Sequence, residues 1–444
     1  MTVRLRLRAA GLARATRTAC LLLGLLIFVG GAALAQGQRA TYAIRGATIH
    51  TLAGEAIERG TVVIQDGRIA GVGRNLPIPS GAKVINARGL HVYPGMIDAF
   101  SHLGLTEIRA VGVTSDLGEK GDFNPHLKAV TAVHPASEHI PVTRANGITH
   151  AVIVPANRPR APFPGQASMI HLDGWTWEQM QIEPGVAMVL YWPRIQPERG
   201  PDGKEPSFKE AKKKYDERVA EIERWIEAAK HYGQSQGSGK EPSPDSKLEA
   251  LVPLIQGKQP VLIVADRARQ IRAAVAFAGK HDLKMILGSG RESHKVADLL
   301  KEKDVPVILG RTEELPARED DPYDDRYTLP SKLHEAGVRF AFGTFDSANS
   351  RTLPYQAAAA VAFGLPYEEG LKSVTLRAAE ILGLGDRLGT IEEGKIANLI
   401  VTNGDPLEIR TETKFLFING RLTSTDNKHL RLYEKYRARP SSGE

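Results

Sequence analysis

The chain has 444 residues, 42% hydrophobic and 25% charged, with a formal net charge of +7 and one cysteine. That composition excludes a disordered chain and a membrane-spanning bundle, and the length suits one barrel of ~250 residues with a smaller companion. Five arginines and no acid lie in residues 1–35, so the remainder carries only +2 and gives no basic face for a nucleic-acid partner.

Arg4, Arg6, Arg8, Arg14 and Arg17 precede an apolar run, Ala19 to Leu34, that ends in Ala33-Leu34-Ala35. This reads as a secretory signal peptide over residues 1–35, cleaved before Gln36, because the run falls short of the ~20 residues a bilayer core needs. The expectation is an exported protein, periplasmic or secreted, with no membrane span after cleavage. Cys20 lies in the same segment, so the rest of the chain offers neither disulfides nor thiolate ligands.

From Thr41 to His91 short β-type runs alternate with tight turns, and Asp66-Gly67 between two of them is a hairpin signal. Next come apolar runs spaced by helix-like stretches, the rhythm of a parallel β/α fold. Eight strands are predicted: Tyr93–Asp98, Ile148–Val154, Ala167–Leu172, Val186–Tyr191, Val261–Val264, Met285–Leu287, Val305–Leu309 and Val338–Phe342. Residues 196–247 break the rhythm with charged, Pro- and Gly-bearing ends around an amphipathic helix whose apolar stripe is Phe208, Tyr215, Val219, Ile222 and Ile226. This insertion reads as a surface helix docked on the barrel. Further short strands, Ala397–Val401 and Lys414–Gly420, cannot bury a face alone and are expected to pair with the first set.

Tyr93-Pro94-Gly95-Met96-Ile97-Asp98-Ala99-Phe100-Ser101-His102 resembles the entry to the barrel in the amidohydrolase superfamily, where a first strand ends Asp-x-His-x-His. Leu388-Gly389-Thr390-Ile391-Glu392-Glu393-Gly394-Lys395-Ile396-Ala397-Asn398-Leu399 is similar to that superfamily's other signature, Gly-Ser-x-x-x-Gly-Lys-x-Ala-Asp-Leu. Arg351-Thr352-Leu353-Pro354-Tyr355, with Ala358 to Ala360 and Gly364-Leu365, resembles the imidazolonepropionase-like branch. The resemblance spans Thr41 to Leu422. It implies a (β/α)8 barrel over 93–385 carried on a β-sandwich built from 36–92 and 386–444.

It also implies one or two divalent metals, zinc first, at the carboxyl ends of the strands, where a bound water becomes hydroxide. The ligand positions depart from the family pattern. Phe100 stands at the first histidine position and His102 keeps the second. Strand five ends Ile263-Val264-Ala265-Asp266, so only Asp266 is offered there, and strand six ends Leu287-Gly288-Ser289-Gly290. The family's strand-eight Gly-Thr-Asp, whose aspartate is ligand and general base, reads Gly343-Thr344-Phe345-Asp346. Asp346 is one residue late, and serves only if a bulge or loop re-aims it. His102, Asp346 and Asp266 are the candidate ligands, with Asp346 the candidate base.

His126, His134, His139 and His294 read as solvated or packed histidines, Gly165-Gln166 as a structural element, and Lys284 as part of the barrel's stability face. Three readings stay open: an exported hydrolase of non-peptide C–N bonds in a cyclic amide or related small molecule, a pseudoenzyme that binds a small molecule or pairs with a related subunit or a second copy, and a metal-free enzyme using Asp98, Asp266 and Asp346.

Overall fold

The computed structural model describes residues 40–157, 161–195, 207–236, 243–316 and 318–439. The expected signal segment and much of the flanks of the helical insertion lie outside the described residues.

The first sheet begins with β1 (Tyr42–Ile49), β2 (Ile57–Gln65), β3 (Arg68–Gly73), β4 (Lys83–Asn86) and β5 (His91–Pro94). β2 and β3 form a two-residue hairpin, and both turn residues are left-handed, Asp66 at φ 51° and Gly67 at φ 82°. That is the turn whose twist matches the flanking strands. β1 pairs with β2 on one edge, while β4 and β5 succeed each other along the other edge, so the sheet forks.

The barrel sheet comprises β6 (Met96–Ser101), β7 (Ile148–Ile153), β8 (Gly165–His171), β9 (Gln181–Tyr191), β10 (Val261–Ala265), β11 (Met285–Ser289), β12 (Val307–Leu309) and β13 (Phe340–Phe342). They are hydrogen-bonded in sequence order. Phe345 N donates to Phe100 O at 2.8 Å and His102 N to Asp346 O at 2.9 Å, which joins the last strand's end to the first. Every pairing is parallel except those of β8, which runs antiparallel to both β7 and β9. The expectation of eight parallel strands is corrected here, and the reason is link length. A parallel crossover needs a dozen or more residues, whereas the β8–β9 link spans only the segment from Leu172 to Met180.

β14 (Leu399–Thr402), β15 (Thr413–Ile418) and β16 (Arg421–Thr423) return to the first sheet, with β14 hydrogen-bonded along β5. Ile44, Ile49, Val62, Ile64 and Ile69 from one end pack with Leu399, Val401 and Phe417 from the other in one buried core. The segment before β14 ties this sheet to the barrel. Asn398 O accepts from Gly95 N at 2.9 Å, and the Asn398 side chain lies 2.5 Å from His150 Nε2. Lys395 Nζ donates to Gly385 O and Thr390 Oγ1.

The insertion contributes one long helix, Phe208–Ser235, opened by a reciprocal capping box between Ser207 and Glu210. Ile222, Ile226 and Ala229 are buried, and Trp225 stacks on Phe123 with centroids 5.1 Å apart. Phe208, expected on the apolar stripe, is instead 64% exposed, and burial on this helix starts at Ala211. Among the described residues no helix is long and apolar enough to cross a membrane.

Candidate functional site at the barrel mouth

The carboxyl ends of the barrel strands converge on the seam between β6 and β13. The seam is tight: a Cβ on Gly343 would lie 2.6 Å from Phe100 Cβ and 2.8 Å from Phe100 N, so only glycine fits there. Inside the seam Asp98 is fully buried and accepts from Thr344 N at 2.9 Å, Thr344 Oγ1 at 2.5 Å and Phe100 N at 3.3 Å. Burial pushes its carboxyl up to about 7, the three donors holding it below where burial alone would put it.

Above Asp98, the Phe100 and Phe345 rings stack face to face, centroids 3.7 Å apart and planes 12° from parallel. Phe345 reaches this position with a left-handed backbone, φ 53°, uncommon for a bulky residue. The kink decides where Asp346 goes. Asp346 lies past the end of β13, 3% exposed, and its Oδ2 accepts from Arg109 Nη2 at 3.0 Å, Arg311 Nη1 at 3.1 Å and Asn349 Nδ2 at 3.1 Å. Its Oδ1 accepts from Ser347 N at 2.7 Å. Burial raises the Asp346 carboxyl, but the Asn349 hydrogen bond, the Arg109 charge and the Ser347 amide outweigh it, so it sits below the ordinary carboxylate range.

His102 Nδ1 donates to Val154 O at 2.8 Å, which makes Nε2 the basic nitrogen of the neutral ring. Asp266, one residue past β10, accepts from Ser289 Oγ at 2.5 Å and Arg194 Nη2 at 2.9 Å, with Arg291 Nε at 3.7 Å. Glu314 completes the group, 2.8 Å from Arg291 Nη2 and within 3.5 Å of Arg311 and Arg326.

The structure thus places His102, Asp266 and Asp346 each just past the end of a barrel strand. The arginines were not singled out from sequence, although Arg194, Arg291 and Arg311 each follow a strand end by two or three residues, the position at which barrel side chains face the mouth. His139 Nε2 bonds Glu107 O, and His294 Nε2 stands 3.9 Å from Asp325. Gln166 bridges Pro125 O and Gln259 inside the barrel. Lys284 lines a cleft of about 830 Å³ at the opposite end, with Lys258, Asp304 and Arg339.

A catalytic zinc takes three protein ligands at 2.0–2.3 Å. Among the described residues no three His, Cys, Asp or Glu side chains gather to that end. Two family ligand positions hold phenyl rings in contact, and the carboxylates of Asp266 and Asp346 are engaged by guanidinium groups. This donor set does not fit a divalent metal.

The fold defines a barrel protein, and these charged and aromatic side chains gather at the carboxyl ends of its strands. An Amidohydrolase family model matches residues 266–425, and the structure of an amidohydrolase from Thermotoga maritima MSB8 superimposes with a TM-score of 0.75 at 27% identity, covering 86% of this chain and 99% of that one. The chain thus shares the fold of that amidohydrolase over most of its length, and its C-terminal part matches the Amidohydrolase family model. Amidohydrolase tasK of Hapsidospora irregularis is 24% identical over 392 residues, 81% of this chain. The chain spans only 39% of that relative's length. A D-hydantoinase of Geobacillus stearothermophilus is 51% identical over 49 residues, 11% of this chain and 10% of that protein.

Proposed function

We propose that this chain is an amidohydrolase-fold protein of the imidazolonepropionase-like branch whose metal site is degenerate, and that it binds a small molecule at the barrel mouth rather than hydrolysing one. The Phe100–Phe345 stack carries this reading, because it fills two ligand positions with groups that cannot coordinate. Elemental analysis of the mature protein tests it: zinc well below one equivalent is expected. Near-stoichiometric zinc that His102→Ala removes, together with hydrolysis of cyclic amides, would overturn it.

A second reading, an exported hydrolase of non-peptide C–N bonds in small molecules, is favoured by the relatives. A D-hydantoinase, a 5-methylthioadenosine/S-adenosylhomocysteine deaminase of Caldicellulosiruptor saccharolyticus and an imidazolonepropionase of Thermoplasma volcanium match over 49, 72 and 71 residues. In that case His102, Asp346 and Asp266 are the protein's own candidates to hold zinc, and the arginines would have to release both carboxylates first. Both readings place the protein outside the cytoplasm, on the signal-like segment before Gln36. An intact mass of the exported protein that begins at Gln36 supports this, and one retaining the arginine-rich segment removes it. As a binding protein the chain would act as a homo-oligomer or beside a related catalytic subunit, which mass measurement of the native assembly distinguishes.

A further inference from the structure

The mouth holds more cation than anion. Arg109, Arg194, Arg291, Arg311 and Arg326 share the carboxylates of Asp266, Asp346 and Glu314, and Asp325, which also pairs with Lys332, acts on Arg326, so among the described residues cations outnumber anions in this group. The surplus also has a direction. Arg109 Nη2 and Arg311 Nη1 both sit about 3 Å from the same oxygen, Asp346 Oδ2, so the ends of two side chains from different loops face one small volume. Asp346 forms the floor of that volume, with its side chain 4% exposed, while the Arg109 side chain is 73% exposed and Arg311 28%. A guanidinium has five N–H donors in a planar fork, and each of these two gives Asp346 only one nitrogen. The buried Nε of Arg311 makes no hydrogen bond among the described residues, its nearest carboxylate oxygen, on Glu314, standing at 3.5 Å.

We infer that the ligand of the barrel mouth carries an anionic group, a carboxylate or an oxyanion of similar size, and that Arg109 and Arg311 receive it above Asp346. This rests on the reading of the mouth as a small-molecule site and names the class of that molecule. Asp346 is a positioning residue: it holds two cations in register so that little side-chain entropy is lost when the anion arrives. The N–H donors that each guanidinium keeps beside its bond to Asp346 give the anion charge-assisted hydrogen bonds, the strong kind. A neutral ligand of the same shape would leave the surplus cations without a partner.

Calorimetric titration of the full mature protein with succinate and with inorganic phosphate, against neutral succinamide, decides the matter. Succinate or phosphate should bind, succinamide should not, and R109Q and R311Q should each weaken the anion by about tenfold or more. Should R311Q fail to fold, R109Q carries the test, because most of that side chain is in solvent. The inference is overturned if neither anion binds, or if R109Q and R311Q bind it as tightly as the native protein. It is equally overturned if binding is lost in R45Q and R88Q instead. Arg45, Arg59 and Arg88 line a separate cleft on the sandwich with no carboxylate among its lining residues, and serve as the internal control. Metal content of the same sample separates the two failures. Metal-free protein that ignores anions sinks only this inference, whereas stoichiometric zinc sinks the binding-protein reading and leaves the arginine variants to judge the anion.

Discussion

The junction between barrel and sandwich and the open mouth of the barrel lie at opposite ends of the same strands, and they depart from the family pattern to very different degrees. At the junction Leu388 to Leu399 follows the signature closely, and its groups are consumed in holding the two sheets together: Lys395 on Gly385 and Thr390, Asn398 on Gly95 and His150. At the mouth Phe100 and Phe345 stand where ligands would, and arginines hold the remaining carboxylates. The first region is spent on holding the two sheets together, while the second combines a packed aromatic pair with exposed charged groups, so the two answer differently to substitution.

Cutting the chain after Leu388 should have the largest effect, because it removes β14, which pairs with β5, together with β15 and β16, and opens the core formed by Leu399, Val401 and Phe417. We expect no cooperative thermal transition in the truncated protein, and retention of the full-length melting temperature would break the comparison at its strong end. Phe100→Ala comes next. It removes a ring that is 1% exposed and stacked, and should destabilise by about 3–5 kcal/mol in urea unfolding. A cost near zero would mean that the aromatic plug is not structural.

Asp98→Ala strands three donors in the seam, and about 2–3 kcal/mol should be lost. Its titration sharpens the contrast with Asp346. Asp98, raised to about 7 in the folded protein, binds its proton more tightly there than in the unfolded chain. Its contribution to stability is complete below about pH 4 and is lost as pH rises through about 7. Asp346, held below the usual range, contributes in the opposite sense, its share fading as pH falls through that lowered value. Unfolding free energies measured from pH 4 to pH 8 should therefore fall more steeply in the native protein than in Asp98→Asn, and identical slopes would remove the assignment. The smallest effect is expected at the mouth. Phe100→His should raise zinc affinity by less than about tenfold, because Phe345 and the arginine-held carboxylates remain, and a gain of many orders would show a nearly intact site.

Much of this architecture is legible in the residues. Alternation and turn chemistry mark the β2–β3 hairpin through Asp66-Gly67, and apolar runs mark all eight barrel strands. The direction of β8 is not written in its own residues, since an apolar strand reads alike in both senses; only the short links before and after it carry that information. The stripe on the insertion helix fails at Phe208 because periodicity gives a face but not which residue of that face first meets the barrel, here Ala211. At the mouth, the shift at Gly343-Thr344-Phe345-Asp346 is visible as spacing. Its outcome depends on a left-handed Phe345, and that conformation follows from the tertiary contact with Phe100. The arginines were legible only as positions after strand ends, because which cation meets which carboxylate is settled by loops far apart in sequence.

The pairing of β14 with β5 sets an order on the making of this protein. Some 300 residues separate the two strands, so at roughly 5–20 residues per second the edge of β5 stays open for about 15–60 s of synthesis. The whole barrel emerges in that interval, before the strand that covers the edge exists. An open apolar edge is a template for pairing with another chain, and that period is when a nascent copy of this protein is most exposed to its neighbours.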